Sequence, residues 1–141
     1  MIICVDSSFL VSSYLSDSHS AEADRRRLNQ DALRITPLNR IEFVHAVFRQ
    51  VFQGAINLGQ ANDLIEVFEQ DVANSLWIST NFPGEAWPTS VQLARRHGPT
   101  LGTRALDTLH VACALELRAD RFWTFDDRQA RLAQAAGLST N

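Results

Sequence analysis

Four short apolar runs, separated by longer amphipathic stretches, constrain the fold of this chain most strongly. The runs are rich in β-branched or aromatic residues and predict buried strands at residues 2–5, 33–35, 76–78 and 121–125. The stretches between them predict helices at residues 9–15, 20–29, 40–53, 59–73, 87–97, 105–117 and 127–137. Because this alternation is typical of α/β proteins, we predict a three-layer α/β/α sandwich with a small central parallel sheet. The length suits a single domain over residues 1–141.

Two helix boundaries and one core face follow from particular residues. The third predicted helix begins after Asn39, or after Thr36 with Pro37 in its first position. Its apolar residues at helical spacing predict a core face made of Ile41, Val44, Phe48, Val51 and Phe52. The helix over residues 87–97 is expected to end at the breaker pair Gly98-Pro99.

The basic residues are all arginine, which removes several classes of function. The chain has 13 basic residues and no lysine among them. A P-loop, a Schiff-base enzyme and a protein kinase each need a lysine, so the sequence argues against all three. The net charge of −3 argues weakly against general nucleic-acid binding. That argument weakens if several carboxylates bind a metal ion, because the remaining surface is then slightly positive.

The sequence favours a cytoplasmic protein without a membrane segment. No apolar run approaches the roughly 20 residues that a membrane span needs. The opening MIICVDSSFL lacks the basic residues that precede the apolar part of a signal peptide. Cys4 and Cys113 are the only cysteines, and we interpret them as buried, reduced thiols.

Four acidic residues interrupt the apolar pattern at positions where a carboxylate is costly. Asp6 and Asp126 each follow a predicted strand. Glu42 lies beside the apolar face of its helix, and Asp107 falls in the first turn of the most apolar helix. Ligands of parallel α/β sheets bind beyond the carboxyl ends of the strands, so these acids can meet at one edge. A buried carboxylate needs an ion pair, hydrogen bonds or a metal ion.

Each acid also has an ordinary structural explanation. Asp6 and Asp126 can cap the helices that follow them. Asp107 suits the positive end of its helix dipole. Glu42 can form an ion pair with Arg49 or with another arginine. None of these explanations accounts for four acids at positions that could converge at one sheet edge.

Four converging carboxylates predict a metal site. They cannot all stay ionised unaided, and a divalent cation removes the repulsion. Oxygen is the only hard ligand available, which suits Mg²⁺ or Mn²⁺ better than zinc. One or two such ions with open water positions suit the hydrolysis of a phosphodiester bond.

Three segments, VDSSFLVSSYL, NRIEFVHAVFRQ and LGTRALDTLHVACALELRADRFWTFDDRQARLAQAAGL, resemble the PIN-domain family. The likeness is greatest to the VapC-type toxins of bacterial VapBC toxin–antitoxin pairs, and it keeps the order of motifs over nearly the whole chain. Its specific part is the combination of D-x-x-H-V-A on a helix with T-x-D before the final helix. The resemblance implies a PIN-like α/β/α fold and an endoribonuclease that depends on Mg²⁺ or Mn²⁺.

The resemblance also assigns residues. The four acids of the family fall on Asp6, Glu42, Asp107 and Asp126, which are thereby implied as catalytic residues and metal ligands. Ser7 or Ser8 would contact a metal-bound water or a substrate phosphate. Thr124 would support the site through a hydrogen bond. We expect Arg104 and Arg128 to hold RNA phosphates at the rim.

Further expectations concern neighbours of the site and partners of the chain. Asp127 is a second candidate for the fourth acid, and His110 is interpreted as a core histidine bonded to backbone or to a carboxylate. The resemblance implies a small antitoxin whose C-terminal segment places a basic residue among the acids. It also implies a homodimer, with residues 47–52 and 65–68 as a candidate surface. Many relatives continue into one more short strand, which leaves the last sheet edge open.

Other classes of function remain as alternatives. The chain could be a PIN nuclease that is not a toxin, or a module that binds RNA or protein without cleavage. It could also be a phosphohydrolase or phospho-receiver with Asp6 as the nucleophile, although such sites normally use a lysine, which this chain lacks.

Overall fold

Four short parallel strands form the centre of the protein in the computed structural model, which describes residues 1–30 and 32–141. The strands are β1 (Ile3–Val5), β2 (Leu33–Ile35), β3 (Trp77–Ser79) and β4 (Arg121–Trp123). They are ordered β3-β2-β1-β4, and every neighbouring pair is parallel. Cys4 in β1 lies opposite Arg34 of β2 and Phe122 of β4. The predicted parallel sheet is therefore confirmed.

Helices cover both faces of this sheet. In the described part of the chain they are α1 (Ser7–Ser12), α2 (Ser20–Leu28), α3 (Pro37–Phe52), α4 (Leu58–Ala73), α5 (Ala86–Leu101), α6 (Ala105–Glu116) and α7 (Asp127–Ala135). The helices α1 to α4 share one hydrophobic core, and α5 to α7 share another. This is the predicted three-layer α/β/α arrangement.

The strands contribute to both cores because successive side chains of a strand point to opposite faces. Ile3 and Val5 belong to the first core, where they join Phe43 of α3. Cys4, which lies between them, belongs to the second core with Val111 of α6. All strands run the same way, so residues that follow their carboxyl ends collect at one edge of the sheet.

The predicted core face of α3 was wrong, except that Val51 packs partly buried against the first core. That face comprised Ile41, Val44, Phe48, Val51 and Phe52, yet Ile41 is 58% exposed and Phe52 is 91% exposed. The buried residues are Asn39, Phe43 and Val47. The amide of Asn39 donates a hydrogen bond to the backbone carbonyl of Val5 at 3.0 Å. This contact lies on the buried face of α3, which comprises every fourth position from 39 to 47, whereas Ile41 and Phe52 point outward.

Asn39 also has a different capping role from the one considered. The helix begins after Thr36 with Pro37 in its first position, and Asn39 completes a capping box by accepting from the Thr36 backbone N–H at 2.8 Å. The second alternative for this helix start is thus correct.

Two further boundaries differ from the prediction. Helix α5 does not end at Gly98-Pro99 but continues to Leu101. A proline removes one helical hydrogen bond, but here it falls in the last turn, where Gly102 ends the helix in the left-handed region with φ of 61°. At the β4 edge, Ser139 forms a single parallel bridge with Arg121, which is all that follows α7 in the sheet.

The two cysteines are buried free thiols, as interpreted from the sequence. Burial raises the pKa of Cys4 to about 11 and that of Cys113 to about 12, because it disfavours the thiolate. No helix within residues 1–30 and 32–141 is long and apolar enough to cross a bilayer.

A pair of phenylalanines on α3 tests which face of the helix is the core. Phe43 is fully buried, and Phe52 is 91% exposed. We expect Phe43→Ala to lower the free energy of unfolding by about 3–5 kcal/mol, since it opens a cavity. Phe52→Ala should change it by less than about 0.5 kcal/mol. Urea unfolding followed by circular dichroism measures both, and equal losses would contradict the assigned face.

Candidate active site

Asp6 lies at the junction of β1 and α1, where its carboxylate is almost fully buried. One oxygen, Oδ1, accepts hydrogen bonds from Ser8 Oγ at 2.7 Å and from the Phe9 backbone N–H at 3.0 Å. The other, Oδ2, accepts from Thr124 Oγ1 at 2.6 Å. Asp6 therefore caps α1 and, at the same time, is tied to the end of β4.

Burial raises the pKa of Asp6 above its ordinary value. The hydrogen bonds from Ser8, Thr124 and the Phe9 N–H act in the opposite direction, as does the nearby charge of His110. Burial outweighs them because a carboxylate loses most of its hydration at this depth. The site thus holds an acid that folding favours in its protonated form.

Glu42 extends from α3 towards α6 and contacts His110 rather than Arg49. Ser7 Oγ donates to Glu42 Oε1 at 3.0 Å, and His110 Nε2 contacts the same oxygen. Ser7 Oγ also lies 3.3 Å from His110 Nε2. Burial alone would raise the pKa of Glu42, but the hydrogen bond and charge of His110, with help from Ser7 and Arg104, lower it. Glu42 is thus favoured as a carboxylate, and His110 is a histidine bonded to a carboxylate, as interpreted.

Asp107 lies in the first turn of α6 and is 5% exposed. Its Oδ2 accepts from the backbone N–H of Arg104 at 3.2 Å and from Arg104 Nε at 3.1 Å. The first contact is half of a capping box at the start of α6. Asp107 thus lies at the positive end of the α6 dipole, as the structural explanation from the sequence proposed. Its side chain lies at the same edge of the sheet as Asp6.

Asp126 caps α7 and is also the last of the four predicted acids. We call Asp6, Glu42, Asp107 and Asp126 together the acidic cluster. Asp126 Oδ1 accepts from the Gln129 backbone N–H at 3.0 Å, which caps α7. Its Oδ2 faces Arg104 Nη2 at 3.5 Å, and its own backbone N–H donates to Thr124 Oγ1 at 3.0 Å. Asp127, the second candidate for the fourth acid, is the exposed first residue of α7.

Hydrogen bonds and charges connect the four predicted acids. Thr124 bridges Asp6 to the backbone of Asp126. Arg104 bridges Asp126 to Asp107, and its charge lowers the pKa of Glu42. Ser8 supports this arrangement by also accepting from the Phe125 backbone N–H at 2.9 Å.

The donor types suit a hard divalent cation, because the four acids and the neighbouring hydroxyls all offer oxygen. Within residues 1–30 and 32–141, however, no three acidic, histidine or cysteine side chains are arranged to hold one ion together. Arg104 accounts for part of this, since its guanidinium bonds Asp107 and faces Asp126. The side chains fit such an ion in chemistry, and their present arrangement is one that balances charge with arginine.

Three cavities border the acids, and the smallest, of about 220 Å³, is lined by Glu42, Arg104, Ala105, Leu106 and Asp107. A polar cavity of about 680 Å³ lies at the β4 side and is lined by Thr100, Leu101, Arg104, Phe125, Asp126, Asp127, Arg128 and Arg131. A more apolar groove of about 450 Å³ lies at the α3 side and is lined by Ser7, Ser8, Val11, Ile41, Glu42, His45, Ala46, Arg49 and Leu106. Each therefore contains at least one of the four acids.

The sequence did not identify two of the contacts that organise the site. Asn39 was considered only as a helix cap, and its hydrogen bond to Val5 could not be read from spacing. Arg104 was expected at the rim on RNA phosphates, whereas its side chain contacts Asp107 and Asp126. Its position three residues before Asp107 was the available signal, because that is the spacing of a capping box.

The fold and site define a class of protein: a parallel α/β sandwich with an acidic cluster beyond the carboxyl ends of its strands. Residues 3–135 match the family model of the PIN domain. The chain belongs to the PIN domain family. No curated protein matches it by sequence.

Solved structures with low sequence identity share this fold. VapC20 of Mycobacterium tuberculosis, a sarcin–ricin loop cleaving toxin, matches with a TM-score of 0.74 at 14% identity, over 99% of this chain and 98% of its own. FitAcB of Neisseria gonorrhoeae matches with a TM-score of 0.70 at 18% identity, over 99% and 97%. VapBC2 of Rickettsia felis, solved with a DNA fragment from its promoter, matches with a TM-score of 0.69 at 15% identity, over 100% and 98%.

The raised pKa of Asp6 predicts a stability gain when its charge is removed. A pKa above the unfolded value of about 3.9 means that the folded protein is most stable where Asp6 is protonated. That contribution is lost as the pH rises through the folded pKa. Without metal, Asp6→Asn should therefore raise the melting temperature at pH 7 by about 2–4 °C, equivalent to roughly 1 kcal/mol.

Thermal unfolding in a chelating buffer at pH 7 and pH 5 measures this gain. It should be smaller at the lower pH, where the parent acid is closer to protonation. Asp63→Asn is the matched control, because Asp63 is exposed on α4. A lower melting temperature of Asp6→Asn at pH 7 would contradict the account of the buried acid.

Proposed function

We propose that this chain is an endoribonuclease that depends on a divalent metal ion and acts as the toxin of a type II toxin–antitoxin pair. The observation that carries this proposal is the connected set of Asp6, Glu42, Asp107 and Asp126 at one sheet edge. The PIN domain family and the resemblance of the fold to VapC20 support it. Mg²⁺ is the proposed ion, with Mn²⁺ as a substitute and one or two ions in the site.

Different residues of the site would have different roles in phosphodiester hydrolysis. Asp6, Asp107 and Asp126 would hold the metal ion, which when bound would supply positive charge to polarise the phosphate and activate water. Thr124 and Ser8 hold the Asp6 carboxylate in position through their hydroxyls. The buried setting strengthens these electrostatic interactions.

Glu42 is suited to orient the attacking water. Its Oε1 is occupied by Ser7 and His110. Its Oε2 has no hydrogen-bond partner among the described residues, so it is available to a water. Because its pKa is lowered, Glu42 is ionised when the reaction begins.

RNA phosphates would bind at the polar cavity, whose wall includes the exposed Arg128. A guanidinium can bond a phosphate through two N–H groups, which suits a chain whose basic residues are all arginine. The cavity borders Asp126, so a strand bound there passes the acids.

An antitoxin is the proposed protein partner. FitAcB and VapBC2 are structures with the same fold, and the second contains both halves of a named pair. The apolar groove beside Glu42, with the exposed Ile41 and Leu106, would take the antitoxin segment. A basic residue of that segment would enter the acidic cluster, whose carboxylates attract arginine.

The product of the neighbouring gene should abolish RNA cleavage when it is co-expressed with this chain. Undiminished cleavage would argue against the toxin assignment.

A homodimer and a cytoplasmic location remain proposals, as does a single domain over residues 1–141. The candidate dimer surface must be narrowed, because Val47 and Phe68 are fully buried. Phe48, Phe52 and Val67 are exposed and remain available to a second copy.

Substitution of the acids tests the proposed chemistry. We expect Asp6→Asn and Asp107→Asn each to reduce RNA cleavage by at least about a hundredfold, because each removes a metal ligand. Both variants keep a side chain of the same shape, so circular dichroism should show an intact fold. Cleavage of total RNA by the purified chain with Mg²⁺, followed by gel electrophoresis, measures the loss.

Asp63→Asn provides the control for this assay, since it removes an exposed acid from α4. It should cleave like the parent chain, and a chelator should stop both. Full activity in Asp6→Asn or Asp107→Asn would overturn the site assignment. RNA that stays intact with every variant, although the parent binds it, would favour the non-cleaving module.

A further inference from the structure

Arg104 occupies an unusual position for a residue that was expected to bind substrate. It precedes α6, and its backbone N–H caps that helix by donating to Asp107. Its side chain is exposed on one side and turns back over the acids on the other. Nε lies 3.1 Å from Asp107 Oδ2, and Nη2 lies 3.4 Å from Asp107 Oδ1 and 3.5 Å from Asp126 Oδ2.

The charge of Arg104 is shared by three of the four acids. Hydrogen bonding and charge from Asp107, with the charges of Asp126 and Glu42, raise the pKa of Arg104. A guanidinium keeps its charge at every pH that the folded protein meets. It therefore reduces the repulsion among acids that would otherwise oppose one another.

The oxygens that Arg104 faces belong to two of the acids that we propose as metal ligands, Asp107 and Asp126. A cation that approaches these oxygens from the side of the guanidinium meets a like charge at short range, so the two positive groups compete. The contacts of Arg104 with the two acids differ in strength. The 3.1 Å between Arg104 Nε and Asp107 Oδ2 is an ordinary hydrogen bond, whereas the 3.5 Å between Arg104 Nη2 and Asp126 Oδ2 is a long one. The Arg104 side chain is 62% exposed, so it is free to swing into the polar cavity that it lines.

We propose that Arg104 is a built-in counter-ion of the acidic cluster, which competes with the divalent cation for Asp107 and Asp126 and leaves them when the ion binds. This inference rests on the proposed metal-dependent function. It assigns Arg104 a role in setting metal affinity, in place of the expected role as a fixed phosphate ligand. Asp126, at the longer contact, is released first.

Backbone and side chain of Arg104 can be separated by substitution. Arg104→Gln keeps the N–H that caps α6 but removes the guanidinium. Arg104→Lys keeps the positive charge but loses the planar fork that spans two carboxylates. If Arg104 were only a helix cap, neither change would affect metal binding.

Calorimetric titration of MnCl₂ into the full chain, without RNA, tests the competition directly. We expect Arg104→Gln to bind Mn²⁺ roughly three- to tenfold more tightly than the parent, because a competing partly exposed ion pair is gone. Arg104→Lys should lie between the two. Asp107→Asn should lose the binding heat, which shows that the heat reports on this site.

Arg131→Gln is the matched control. Arg131 lines the same polar cavity, and the structure shows no ion pair between it and any described residue. Its removal changes the net charge equally but frees no acid, so Mn²⁺ affinity should stay within about twofold of the parent.

The outcomes separate this inference from the proposed function. Equal or weaker Mn²⁺ binding by Arg104→Gln overturns the counter-ion role, while binding by the parent would still support a metal-dependent nuclease. Equal gains in Arg104→Gln and Arg131→Gln also overturn it, because they indicate a general charge effect. Absence of binding by the parent and all variants overturns both proposals. Binding that appears only in Arg104→Gln supports the counter-ion role in its strongest form.

Discussion

Burial of the Asp6 carboxylate is the constraint on which the rest of the site depends. A carboxylate at this depth is unfavourable unless hydrogen bonds replace its water. Two of the bonds come from α1, which Asp6 caps, and the third comes from Thr124 at the end of β4. The parallel pairing of β1 with β4 brings Thr124 there. The sheet topology and the acidic site are therefore consequences of the same arrangement.

Around Asp6, an arginine and a histidine contact the other three acids. Arg104 contacts two acids, and His110 contacts Glu42. Both are placed by α6, whose first turn also provides Asp107. One helix thus supplies an acid together with the groups that compensate its neighbours. This arrangement explains how a cluster of carboxylates is tolerated in the folded chain.

The sequence was sufficient to predict the sheet and its parallel sense. Short β-branched runs between helices permit few other folds, and Asp6 and Asp126 directly follow strands, so their edge was known once the strands were parallel. The rotation of α3 was not predictable from apolar spacing, because its buried face begins with the polar Asn39, whose amide bonds the Val5 carbonyl. Hydrophobic spacing could not reveal this, since it carries no information on where a backbone carbonyl is left open.

The partners of the acids were equally hidden from the sequence. Glu42 has several arginines within reach along the chain, yet its partner is His110, 68 positions away. Arg104 was expected to hold RNA phosphates at the rim, whereas its side chain contacts Asp107 and Asp126. This position follows from the capping geometry of α6, which brings the residue before the helix back over the first turn.

The central claim is that these acids together hold a divalent cation at the carboxyl edge of the sheet. Crystals of the chain grown in MnCl₂, with diffraction recorded at the manganese absorption edge, locate such an ion directly by anomalous scattering. If the acids hold the ion, we expect an anomalous peak within coordination distance of Asp6 and Asp107, with Arg104 moved away from Asp126. A bound manganese elsewhere, with Arg104 still on both acids, would contradict it.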